Sequence, residues 1–225
     1  MEHKFLLAQK TRSPVPWRGA RNKEACKSTG PPAFINPTMK TLLEKKENSS
    51  VYQHAIKAVV SKNGWDLEAL SHEAPTLVVF LRHFNCIYCR ESLAELRRLR
   101  SQIEAEGSQI AAVHMGTEAQ AEELLAFFGL SDVERFSDPE QRLYSAFGLE
   151  RTTLGHMLRP ASWLGMVRAG FKSQFLPGKK LRGIVGDVLQ MPGVFLLNEG
   201  RIVGDFKPER VDERPEYLEV AALQC

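Results

Sequence analysis

The chain has 225 residues, 43% of them hydrophobic, with 30 Lys and Arg against 27 Asp and Glu; this is enough to bury one sizeable core and short of the length at which two domains are the default. The net charge of +3 is uneven: residues 1–40 carry eight basic and two acidic side chains and the remainder is mildly acidic, which argues against nucleic acid as a partner because phosphate binding needs cations clustered on one face. The longest apolar run, Thr76-Leu77-Val78-Val79-Phe80-Leu81, has the length of a strand and ends at Arg82, so no membrane span is expected.

Residues 1–50 read as a poorly structured, basic leader to a domain over 51–225, since Pro14, Pro16, Pro31, Pro32 and Pro37 interrupt a stretch without helical or alternating period. Phe5-Leu6-Leu7-Ala8 is too short for a secretory core; organelle targeting and a translation start at Met39 are two further readings. Ile56 to Val60 is expected as a strand, Asn63-Gly64 as a hairpin turn and Trp65 to Leu70 as the returning strand. Leu77 to Leu81 predicts a strand buried on both faces of a sheet. After Cys89, the apolar Leu93, Leu96, Leu99 and Ile103 mark one face of a helix ending near Gly107.

Further on, Ile110 to Val113 predicts a strand, Thr117 to Phe128 a helix closed by Gly129, and Val133 to Phe136 a short strand. Asp138-Pro139 is expected to open a helix to Phe147, with Gly148 as its stop. Residues 151–182 read as an insertion with a short helix over Ala161 to Phe171. Val194 to Leu197, the turn Asn198-Glu199-Gly200 and Arg201 to Phe206 predict a hairpin, and Glu213 to Leu223 a last helix. This order predicts an α/β architecture, a three-layer α/β/α thioredoxin-like fold with a mixed central sheet and a helical insertion before the final hairpin. Met191-Pro192 stands where that fold carries a cis-proline facing its disulfide, although a proline at a strand entry also serves as plain punctuation.

Cys86 and Cys89 lie at the predicted strand-to-helix junction. Disulfide exchange needs a thiolate, and a sulfur in the first turn of a helix faces unpaired N–H groups that favour negative charge. Two intervening residues bring the sulfurs within bonding range, so an attacking thiol and its resolving partner form one unit. Arg82 and Arg90 flank the pair and are expected to lower a thiol pKa. Half of a zinc site and a pair of inert thiols are the competing readings; zinc needs two more ligands, and Cys26 and Cys225 lie near the chain ends. Four cysteines in this arrangement do not look like a secreted disulfide framework, which favours a reducing, cytoplasmic compartment.

The stretch Phe80-Leu81-Arg82-His83-Phe84-Asn85-Cys86-Ile87-Tyr88-Cys89-Arg90 resembles the active-site segment of the peroxiredoxin-like AhpC/TSA family. Ser137-Asp138-Pro139 through Tyr144 to Gly148, Gln190-Met191-Pro192-Gly193-Val194-Phe195, and Asp212-Glu213-Arg214-Pro215 with Tyr217 resemble further segments of it. The resemblance runs from about Ile56 to Leu218 and implies a thioredoxin-like fold with redox chemistry at Cys86 and Cys89, in a family that reduces peroxides and prostaglandin-type endoperoxides. The chain departs from the peroxiredoxin pattern Pro-x-x-x-Thr-x-x-Cys: if Cys89 takes the peroxidatic place, Cys86 stands for Thr and Arg82 for Pro. By analogy with thioredoxin Cys86 attacks and Cys89 resolves; by analogy with peroxiredoxin the roles reverse.

The expected reaction is reduction of a peroxide or disulfide, with Cys86 favoured as nucleophile in disulfide exchange, Cys89 closing the disulfide, and an external dithiol or glutathione restoring the thiols. Arg82, Arg90 and Pro192 are expected to support the site, with no metal and no bound cofactor. A thioredoxin-fold partner-binding or redox-sensing module is the non-catalytic alternative. Trp163, Met166, Val167 and Phe171 share a helical face that reads as core packing, an apolar substrate groove or a homodimer contact. His83, His114 and His156 are candidate general acids, or structural residues. Gly183-Ile184-Val185-Gly186 reads as a loop, lacking the full phosphate-binding pattern.

Overall fold

In the computed structural model the described residues are 39–153, 186–210 and 212–222. Their centre is a five-stranded sheet in the order β3-β2-β1-β4-β5, formed by β1 (Thr76–Phe80), β2 (Gln109–His114), β3 (Glu134–Ser137), β4 (Gly193–Asn198) and β5 (Arg201–Phe206). β1 pairs in parallel with β2, and β2 with β3, whereas β4 runs antiparallel to both β1 and β5. The β4–β5 turn has Glu199 and Gly200 both at positive φ, 50° and 73°, the backbone that matches the twist of a hairpin.

The helices are α1 (Met39–Ala58), α2 (Leu67–Glu73), α3 (Ile87–Ala105), α4 (Glu118–Phe127), α5 (Arg142–Ala146) and α6 (Tyr217–Ala221). Alternation along the central strands divides the core. Leu77, Val79 and Leu81 join Leu93, Leu96, Leu99 and Ile103 of α3 on one face, and Val78 and Phe80 join residues of α1, α2 and α5 on the other. The result is the three-layer α/β/α thioredoxin-like fold with a mixed sheet. No helix among the described residues is long and apolar enough to cross a membrane.

Several local expectations are corrected. Ile56 to Val60 is not a strand: α1 continues to Ala58, with Ala55, Ile56 and Val59 buried at helical spacing. Five apolar-rich residues fit either period, and packing against the sheet selects the helix. Asn63-Gly64 does turn, but only the single bridge Val60↔Asp66 closes it; Asp66 then caps α2 by accepting from the Ala69 N–H at 2.7 Å, so the returning segment is helical from Leu67. α1 already runs from Met39, across the boundary expected at residue 50.

The helix expected from Pro139 starts at Arg142, because the Asp138 carboxylate reaches past a turn to accept from the N–H groups of Arg142 and Leu143 at 3.0 and 2.8 Å. The last helix starts at Tyr217, beyond Pro215, instead of at Glu213. Of the insertion, Ala161 to Phe171 lies outside the described residues, and so does the face of Trp163, Met166, Val167 and Phe171.

One buried side chain ties the fold to the cysteine loop. Tyr144 on α5 donates its hydroxyl to the carbonyl oxygens of Leu81 at 2.5 Å and Val113 at 3.2 Å, and the Leu81 N–H bonds Val113 O at 2.9 Å. The chain is therefore fixed where it leaves β1, one residue before Arg82.

Candidate active site

Residues 81–86 leave the end of β1 and turn into α3, with Cys86 as the N-cap residue and Cys89 in the first turn. The Cys86 N–H bonds His83 O at 2.9 Å, and the Arg90 N–H bonds Cys86 O at 3.0 Å, so the junction is held by its own backbone. Both cysteines are free thiols, each only 4% exposed. The Cys89 sulfur accepts from the Arg82 N–H at 3.3 Å.

The two thiols are hydrogen-bonded to each other. A hydrogen bond from the Cys89 thiol lowers the Cys86 pKa to about 6; burial opposes this, the Arg82 cation assists it, and the amides of Cys89 and Tyr88 add to it although no side-chain cap bond closes at Cys86. The same hydrogen bond pushes Cys89 well above the ordinary thiol range, with burial and the charge on Cys86 acting in the same direction. At neutral pH the negative charge resides on Cys86 and the proton on Cys89.

Arg82 is buried, and its guanidinium donates to the carbonyls of Gln190, at 2.8 Å from Nε, and Val188. It thereby joins the cysteine loop to the segment that leads into β4. Gly186 completes the joint from the other side: its φ is +109°, and a Cβ there would lie 2.5 Å from Arg82 O, so a side chain would push the two segments apart. Gly186 therefore works as a packing residue of the site. Arg90, expected to act on the thiols, instead stacks its guanidinium over Phe127 and Phe128 at 5.6 and 5.7 Å.

Pro192 and Cys89 line the same cavity, but the Met191–Pro192 peptide is trans, as is every peptide bond among the described residues. Trans is the intrinsically favoured isomer of an X–Pro bond, by about 0.5–1 kcal/mol, and here Met191 and Gln190 keep their main-chain bonds to Glu150 and Asp187 with it. Burial brings both His83 and His114 down to about 4, so neither is an imidazolium at neutral pH. His156, Cys26 and Cys225 lie outside the described residues. Among the described residues no three His, Cys, Asp or Glu side chains are grouped as a metal would require.

A cavity of about 30 Å³ opens against Cys89, walled by Leu81, Val194 and Pro215, with Arg82, Tyr88 and Arg214 among its polar lining. Arg214 is pinned by an ion pair with Glu91 of α3. Tyr144, Gly186 and Arg214 are parts of the site to which reasoning from the residues alone gave no role. Tyr144 and Arg214 stood within the segments of family resemblance, and that was their only signal.

The AhpC/TSA antioxidant enzyme family model matches residues 95–209, just over half of the chain and beginning after the two cysteines. Prostamide/prostaglandin F synthase of Salmo salar is 27% identical over 160 residues, 70% of this chain and 76% of that protein. The reduced Prx3 of Vibrio vulnificus superposes with a TM-score of 0.51 at 12% identity, over 73% of this chain and 91% of that one. The same protein in complex with hydrogen peroxide gives 0.50 at 13% identity, over 74% and 92%. With its helix-initial thiols set on this sheet and the family model spanning the strands and helices that follow, the chain belongs to the AhpC/TSA family, a peroxiredoxin-like thiol oxidoreductase group of the thioredoxin-fold superfamily.

Proposed function

We propose that the protein reduces a peroxide or a disulfide with the Cys86–Cys89 dithiol. The observation that carries this reading is the placement of two free, buried thiols at the start of α3, Cys86 at the N-cap and Cys89 in the first turn, where their contact lowers the pKa of Cys86 to about 6 and raises that of Cys89. In disulfide exchange the Cys86 thiolate attacks a substrate sulfur and expels the other as thiolate; Cys89 then closes the Cys86–Cys89 bond and releases the first. With a peroxide, one sulfur takes an oxygen, the other displaces it as water, and the peroxide leaves as an alcohol or water. An external dithiol or glutathione returns two electrons to the pair. Arg82 acts as a positioning residue that favours the charge on Cys86.

A lipid endoperoxide is a second substrate class, in keeping with the name of the Salmo salar relative, a prostamide/prostaglandin F synthase. Steady-state turnover with a dithiol reductant tests the reading. The wild type is expected to cycle with a peroxide or a disulfide, and Cys86→Ser and Cys89→Ser are each expected to abolish cycling. Turnover that survives both substitutions, or a wild type that never cycles while retaining a bound partner protein, would favour the non-catalytic module instead.

A further inference from the structure

Gln190 stands just before β4 with only 1% of its surface exposed. Its side-chain Nε2 donates to Leu149 O at 2.8 Å and lies 3.3 Å from both Glu150 O and Met191 O. The peptide between Gln190 and Met191 is held on both sides: its N–H, from Met191, donates to Glu150 O at 3.1 Å, and its carbonyl, from Gln190, accepts from Arg82 Nε at 2.8 Å. Val188 O takes Nη2 of the same guanidinium. At its other end Arg82 touches the site directly, since its main-chain N–H donates to Cys89 Sγ at 3.3 Å. A cation acts on a neighbouring thiol according to its distance, and so according to what holds it there.

We infer that Gln190 is a positioning residue of the redox site: its side-chain amide sets the peptide whose carbonyl holds the Arg82 guanidinium beside the cysteine pair. The inference rests on the proposed redox role of that pair and deepens it. A guanidinium presents its N–H groups in a rigid planar fork, so two carbonyls at fixed positions, those of Val188 and Gln190, define where its charge sits. Any residue supplies a carbonyl; what Gln190 adds is the amide that ties the segment to Leu149 and Glu150. Without that amide the buried carbonyls lose a donor, the segment shifts and the guanidinium shifts with it. Cys86 then keeps the Cys89 thiol, the Tyr88 phenol and the amides of Tyr88 and Cys89 around it, and loses a cation held in place. Gln109 supplies a control within the same molecule. Its Nε2 also donates to buried acceptors, Leu70 O at 2.8 Å, Ala74 O at 3.3 Å and Thr76 Oγ1 at 3.1 Å, but at the far end of β1, where Gln109 pairs with Thr76.

The experiment is thiolate titration of the reduced full chain by ultraviolet absorbance, with denaturant unfolding alongside, for the wild type, Gln190→Met, Gln109→Met, Arg82→Met and the double variant Arg82→Met/Gln190→Met. Gln190→Met keeps the length of the side chain and removes its donor. Its Cys86 pKa is expected to rise from about 6 to about 7, which lowers the thiolate fraction at about pH 5 roughly tenfold. Gln109→Met should lose stability to a similar degree and leave that pKa in place. Because Gln190 acts through Arg82, adding Gln190→Met to Arg82→Met should raise the pKa no further. An unmoved pKa in Gln190→Met, equal rises in Gln190→Met and Gln109→Met, or a full additional rise in the double variant would overturn the inference. Gln190→Asn, which keeps the amide and withdraws it by one methylene, should move the pKa in the same direction by less; if Gln190→Met does not fold, an unmoved pKa in this variant overturns the inference instead. Turnover of the wild type with a dithiol reductant separates the two readings. Cycling without the Arg82-dependent rise removes only the positioning role; a wild type that never cycles removes the dithiol reading, and the titrations still decide whether Gln190 positions Arg82.

Discussion

On the α1/α2/α5 side of the sheet, Phe80, Phe136, Tyr144, Phe147 and Phe195 are each 2% exposed or less, and Phe80 meets Tyr144, Phe147 and Phe195 with ring centroids 5.1, 4.9 and 5.5 Å apart. The α3/α6 side packs mainly aliphatic side chains, with Phe84, Phe128 and Tyr217, around two thiols, a cavity and two donors without partners. The difference is one of satisfaction: the only hydroxyl in that aromatic set, on Tyr144, has two acceptors, while the thiol side retains buried polar groups without a partner. Close-packed aromatic layers resist loss of volume, so the first side carries stability and the second can carry chemistry. Tyr144 connects the two.

Phe80 is the centre of the aromatic side. Phe80→Ala should cost about 3–5 kcal/mol in denaturant unfolding, while the folded variant keeps its low Cys86 pKa; a thiol that returned to the ordinary range would show that the aromatic side also tunes the site.

Acid supplies the next largest effect. His114 is buried and held neutral down to about pH 4, whereas in the unfolded chain it protonates below about 6.5. Between those values the unfolded state binds more protons, so stability falls as pH falls from 6.5 towards 4, by on the order of 2–3 kcal/mol for this residue. His83, more exposed, adds a smaller loss over the same window. Cys86 acts higher: its depressed pKa gives stability that is full above about pH 9 and is lost as pH falls through about 6. Urea midpoints measured across this range should show both slopes, with His114→Gln flattening the lower and Cys86→Ser the upper.

Tyr144→Phe is the smallest of these perturbations. It leaves the Leu81 and Val113 carbonyls one donor short and should cost about 1–2 kcal/mol. A larger loss of thiol reactivity than of stability would identify Tyr144 as a functional link between the two sides.

The sheet and α3 were legible because their residues repeat: Leu77 to Leu81 is a continuous apolar run and Leu93 to Ile103 keeps one helical face. Ile56 to Val60 was misread because a short apolar segment carries no period of its own, and the choice of helix is made by the sheet that covers Ile56 and Val59. The cysteine pair announced itself by spacing. Its partners did not, since Val188 and Gln190 reach Arg82 from more than a hundred residues away through backbone carbonyls, which any residue supplies. Gly186 and the Arg214–Glu91 pair are likewise products of tertiary approach. Arg90 was singled out by its adjacency to Cys89 in sequence; that its guanidinium lies over Phe127 and Phe128 is a product of tertiary approach.

Whether Cys86 holds the thiolate and Cys89 the proton is tested directly by ultraviolet titration of thiolate absorbance in the reduced protein, repeated with Cys86→Ser and Cys89→Ser. One thiolate titrating near pH 6, absent from Cys86→Ser and shifted upward in Cys89→Ser, is the predicted result. Titration of both sulfurs near the ordinary value of about 8.5, or a low-pH thiolate that disappears only with Cys89→Ser, would contradict it.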